Sequence, residues 1–147
     1  MILLDRSELL EAVASPLNFA LYFEDEGFGR PHYYIILPTQ NKDEVVVLSM
    51  ITSQIDKRRE FYKDNEASLQ NLIYVDENDL SFLIKPSVID CNSPTKTTVS
   101  ELSRMSKPRL IRNLTISREL VIRIAKAINA SKLTKPSVKK SIDLSKI

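Results

Sequence analysis

Arg30, His32, Thr52 and Ser53 are the residues whose types and spacing could do chemistry together. Arg30 and His32 stand at the entrance to an apolar run, Tyr33-Tyr34-Ile35-Ile36-Leu37, and the Thr52-Ser53 pair stands at the exit of a second, Val45 to Ile51. Two neighbouring antiparallel strands would bring such an entrance and exit to one end of a sheet. Arginine supplies a permanent planar cation suited to phosphate oxygens, histidine titrates near neutral pH, and hydroxyls donate and accept hydrogen bonds. That set suits metal-free acid–base chemistry on a phosphodiester. RNA carries its own nucleophile in the 2′-hydroxyl, so a protein need only position that group, move its proton and neutralise the charge that develops on phosphorus. Each residue also has a purely structural reading: Arg30 paired with Glu24 or Glu26, Thr52 and Ser53 ending a strand, His32 as a hydrogen-bonded strand-edge side chain.

Other chemistries find little support. A single histidine and a single cysteine, without an HExxH or CxxC pattern, leave no ligand set for zinc or iron. No GxGxxG or GxxxxGK[ST] pattern points to a nucleotide cofactor, so no cofactor is expected. Lone Cys91 fits a reducing compartment, and the apolar start Met1 to Leu4 is broken at once by Asp5 and Arg6. A cytoplasmic protein without a membrane span is expected.

The elements that must position these residues read as mainly β with flanking helices. Asp5 or Ser7 can cap a short N-terminal helix with Leu9, Leu10 and Val13 on one side, and Pro16 discourages its continuation. Phe19 to Phe23 reads as a strand, followed by a turn at Gly27 and Gly29. Residues 33–37 and 45–51 form a hairpin across the polar loop Pro38 to Glu44. The charged stretch Asp56 to Asp64 reads as a mobile surface loop with at most a helical turn. Short strands are expected at Leu72–Val75, around Val88–Cys91 and at Thr97–Val99. A closing helix capped by Ser117 carries the stripe Leu120, Val121, Ile124, Ala125 and Ile128, whose spacing marks a core face. Many short strands without long intervening helices predict a small barrel. One domain over 1–131 and a loose basic tail over 132–147 complete the expectation.

Charge is divided along the chain. Residues 1–103 hold 9 Lys+Arg and 17 Asp+Glu, whereas residues 104–147 hold 12 Lys+Arg against Glu119 and Asp143 alone. A basic third suits phosphate or an acidic protein partner, because distant acids do not cancel a local field beyond about 10 Å.

The series Gly29-Arg30-Pro31, Val45-Val46-Val47 running into Ile51-Thr52-Ser53, Lys85-Pro86-Ser87-Val88-Ile89, and Leu114-Thr115-Ile116-Ser117 before the closing helix resembles the MazF/PemK family of toxin endoribonucleases, in order from about Gly27 to Ser131. The resemblance implies an SH3-like barrel, a homodimer, cleavage of single-stranded RNA without metal, and neutralisation by an acidic antitoxin. It implies that Arg30 stabilises the phosphate and that Thr52 assists proton transfer or orients the scissile group. Ser53 and His32 complete the expected catalytic set, and Lys57, Arg58, Arg59 and Lys85 are the expected RNA contacts. The sequence departs from the family at Asp90-Cys91-Asn92-Ser93-Pro94-Thr95-Lys96, in the N-terminal helix and in the insertion after Ser53. The rival expectation is an SH3-like barrel that binds RNA or a protein without catalysis.

Overall fold

The computed structural model describes residues 5–24, 30–40, 45–104 and 108–147. The expected turn glycines Gly27 and Gly29, and Asn41 to Glu44 of the expected hairpin loop, lie outside them.

The core is a mainly antiparallel β structure. Strands β1 (Ala20–Glu24), β2 (Pro31–Leu37), β3 (Val45–Thr52), β4 (Leu72–Val75), β5 (Ser87–Thr98) and β6 (Arg109–Ile111) form one sheet in the order β4-β5-β3-β2-β1-β6. Every ladder is antiparallel. The sheet is open, with β4 and β6 at its edges, so the expected closure into a barrel is not what the ladders describe. Short edge strands of four and three residues limit the unpaired backbone that an open sheet presents.

Alternation along the central strands buries both faces. Ala20, Ile35, Val47, Ile51 and Ile89 face helix α5 (Arg118–Ala130), whose whole expected stripe of Leu120, Val121, Ile124, Ala125 and Ile128 is buried. Ser117 caps α5 by accepting from the Leu120 amide. On the opposite face Leu21, Tyr34, Ile36, Leu48 and Met50 pack against α1 (Arg6–Ala14) and α4 (Val99–Arg104). A strand buried on both faces loses its polar alternation, which explains the continuous apolar runs of β2 and β3. In α1 the cap is Asp5, which accepts from the Ser7 amide at 3.0 Å, and this bond holds the Asp5 carboxyl below the usual carboxylate range. Leu9 and Ala12 are its buried residues, while Leu10 is exposed.

Three further expectations change. The charged stretch after Ser53 folds into α2 (Ile55–Phe61) and a short α3 (Glu66–Leu69), because Tyr62, Leu72 and Val88, with Ile55 and Leu69, supply a small apolar cluster that the charges mask in the sequence. The strands expected at Val88–Cys91 and around Thr97 are one strand, β5, interrupted by an irregularity, and Val99 begins α4. The last residues are folded: α6 (Pro136–Ser141) buries Val138, the Asp143 amide donates to the Pro38 carbonyl at 2.9 Å, and Ile142 bridges to Thr39.

Cys91 is fully buried and its thiol is pushed up to about 12, first by desolvation and then by the nearby Asp90 charge. The thiolate is the reactive form, so Cys91 is expected to resist alkylation by iodoacetamide in the native protein and to react once urea unfolds it. Rapid native labelling at pH 8 would contradict the burial. Because the folded thiol titrates above its ordinary value of 9.0, its contribution to stability is complete below pH 9 and is lost as pH rises towards about 12.

Candidate functional site

The entrance to β2 and the exit of β3 do meet. Tyr33 pairs with Ile51 at the end of the β2–β3 ladder, so Arg30, Pro31 and His32, which precede Tyr33, and Thr52, Ser53 and Gln54, which follow Ile51, lie at the same end of the sheet. Thr52 in turn pairs with Val88 of β5, next to Ser87, which accepts its place from the turn carrying Leu83, Ile84 and Lys85. The Ser87 hydroxyl donates to the Lys85 carbonyl at 3.0 Å and fixes that turn.

These strand ends enclose a cavity of about 180 Å³. Arg30, His32, Thr52, Ser53 and Lys85 line it, together with Tyr22, Tyr33 and Gln54. Arg30, Ser53 and Lys85 are exposed, and among the described residues Arg30 pairs with no carboxylate; Glu26 lies outside them. No described lining residue is acidic. The site is therefore a cationic mouth.

Its floor is aromatic. Tyr22 and Tyr33 lie on neighbouring strands in direct register, with ring centroids 4.6 Å apart, and Phe82 continues the row at 4.7 Å from Tyr33. The Arg109 guanidinium from β6 sits 4.7 Å over the Tyr22 ring. A nucleobase can stack on such rings whatever its identity, because every base has a π face. Sequence reasoning missed these rings; the only signal was two tyrosines in adjacent strand runs, and their register needs the fold.

Thr52 is only 5% exposed, and its Oγ1 accepts from the Gln54 amide at 3.1 Å. This bond shapes the turn that presents Ser53, so Thr52 ends the strand as well as lining the cavity. Ser53 is the more accessible hydroxyl.

Lys57, Arg58 and Arg59 are not among the cavity's lining residues. They sit on α2, which begins immediately after Gln54. Lys57 is exposed, and Arg59 donates to the Tyr74 hydroxyl. Arg58 is held by Asp90, 3.3 Å away, and its guanidinium lies 5.3 Å from the Phe61 ring. Asp90 is wholly buried and also accepts from the Tyr62 hydroxyl at 2.8 Å and the Asn92 amide at 2.9 Å. Burial is the main reason the Tyr62 hydroxyl titrates above the ordinary tyrosine range. This network ties α2 to β5 and so steadies the turn from which α2 springs.

Among the described residues no three His, Cys, Asp or Glu side chains gather as a metal site, and no helix is long and apolar enough to cross a membrane. Neither a protein-family model nor a curated protein sequence matches the chain.

Proposed function

We propose that the protein is a metal-independent endoribonuclease that cleaves single-stranded RNA, a divergent relative of the MazF/PemK toxins. The observation that carries this reading is the convergence of Arg30, His32, Thr52, Ser53 and Lys85 on one cavity above the Tyr22–Tyr33 pair. Arg30 and Lys85 neutralise the phosphodiester and the negative charge that grows as the 2′-oxygen attacks phosphorus. The hydroxyls of Ser53 and Thr52 orient the phosphoryl oxygens, His32 moves the proton, and a base rests on the tyrosines. The 5′-oxygen leaves with a proton, and the 2′,3′-cyclic phosphate remains on the other fragment.

The same reading makes the open sheet a variant of an SH3-like barrel. It also makes the protein a cytoplasmic homodimer whose inhibitor is an acidic antitoxin attracted to the basic C-terminal third.

Purified protein is expected to cut single-stranded RNA in the presence of a chelator, leaving 2′,3′-cyclic phosphate and 5′-hydroxyl ends identifiable by end-mapping. Cleavage abolished by chelator and restored by magnesium would overturn the mechanism. A second reading, RNA binding without cleavage, is favoured by the engagement of Thr52 Oγ1 with the Gln54 amide. Its signature is saturable RNA binding with no turnover at any pH from 5 to 9.

A further inference from the structure

Midway along β5 its ladder with β3 is interrupted and then resumes at Thr95. From Leu48 to Met50 β3 advances two residues, while the paired positions on β5 run five, from Thr95 back to Asp90. The surplus falls at Cys91 to Pro94, where Pro94 has no N–H to offer the ladder. Bulges of this kind bend a strand and re-aim its side chains, and they recur beside binding sites.

Here the bend opens a cavity of about 430 Å³ between β5 and the chain entering α6, within the roughly 300–1,000 Å³ usual for small-molecule sites. Ser93, Lys96, Thr134, Lys135 and Ser137 are among its lining residues, the Ser93 hydroxyl being bonded to that of Tyr62 at 3.2 Å, and no described lining residue is acidic. Neither lysine forms an ion pair among the described residues; the Lys96 ammonium has only a long contact, 3.5 Å, to the Ser137 carbonyl.

The floor is rigid. Asn92, 2% exposed, accepts from Asn71 at 3.2 Å and from the Ser131 hydroxyl at 2.8 Å, and donates to the Ser68 carbonyl at 2.9 Å. The Thr134 hydroxyl reaches the Asn92 carbonyl. Buried polar networks with every member satisfied hold a cavity in one shape, which lowers the cost of ordering it around a ligand.

We propose that this second cavity binds a phosphate group, gripped between Lys96 and Lys135 and hydrogen-bonded by the Ser137 hydroxyl. Two cations without a carboxylate select an anion, and ammonium groups with three donors each suit an oxyanion with several acceptor oxygens. The site is separate from the Arg30 cavity, which adjoins Ser87 at the start of β5, and the two share no lining residue. The phosphate comes either from a free phosphorylated compound or from the backbone of bound RNA.

The test titrates the full chain with inorganic phosphate, adenosine 5′-monophosphate and a short oligouridylate, following backbone amide signals by NMR. Shifts are expected at Ser93, Thr134 and Ser137. The double substitution Lys96→Gln/Lys135→Gln, on exposed side chains that leave the melting curve unchanged, is expected to weaken binding about 10-fold or more. Arg30→Ala is expected to leave the shifts and midpoint for inorganic phosphate at these residues as they are. Tighter binding of the mononucleotide than of the oligomer assigns the site to a free compound, and the reverse order assigns it to RNA. Shifts confined to the surroundings of Arg30 and Lys85, or midpoints unchanged in the double variant, would overturn the proposal.

Discussion

Arg30→Ala is expected to lower the rate of RNA cleavage by about 10²-fold or more, the usual loss when one preorganised charge-stabilising donor is removed. Arg30 is exposed, precedes β2 and pairs with no carboxylate among the described residues, so its loss should shift stability by no more than about 0.5 kcal/mol. Initial rates on labelled single-stranded RNA, read beside a melting curve, separate the two effects. Arg30→Lys should restore only part of the rate, since it keeps the charge and loses the planar fork that meets two phosphate oxygens at once. Equal rates for the parent and the alanine variant would remove Arg30 from the site.

Asp90→Ala should cost about 3 kcal/mol of folding stability, measured as a fall in the urea midpoint at unchanged slope. The carboxylate is wholly buried, and deleting it strands the Asn92 amide, leaves the Tyr62 hydroxyl only its 3.2 Å contact with Ser93 Oγ, and removes the carboxylate partner of Arg58. Partial exposure of Arg58, 17% of its side chain, lets water recover some of that loss and places the expected cost at the lower end for a broken buried pair. Arg58→Ala leaves the wholly buried Asp90 carboxylate without its cation, where water cannot reach it, and should cost at least as much as Asp90→Ala. A loss below about 1 kcal/mol for Asp90→Ala would mean that the network does not hold α2 to the sheet. Because α2 begins at the turn carrying Ser53, the same substitution should also slow RNA cleavage beyond what unfolding explains, under conditions where the variant is fully folded.

Local pattern was enough for the elements whose partners are regular. The stripe Leu120, Val121, Ile124, Ala125 and Ile128 is buried as its spacing requires, and the runs of β2 and β3 are strands because β-branched and aromatic residues buried on both faces leave little other choice. The grouping of Arg30 and His32 with Thr52 and Ser53 was legible for the same reason: a hairpin brings the start of one strand beside the end of the next. What the chain's own order could not reveal depended on contacts between distant residues. The stretch Asp56 to Asp64 reads as a solvated loop until Leu72 and Val88 give Tyr62 an apolar seat and Asp90 gives Arg58 a partner. The basic C-terminal residues read as a loose tail until the Pro38 carbonyl and Thr39 anchor Asp143 and Ile142. Whether the sheet closes was likewise a tertiary outcome, because pattern marks which residues face the core but not which strands are left at the edges. The aromatic floor of the Arg30 cavity, and the lysine-lined cavity at the β5 irregularity, arise from register between strands and from one helix laid over another segment. Neither has a period in the sequence, and so only the folded chain brings them into being.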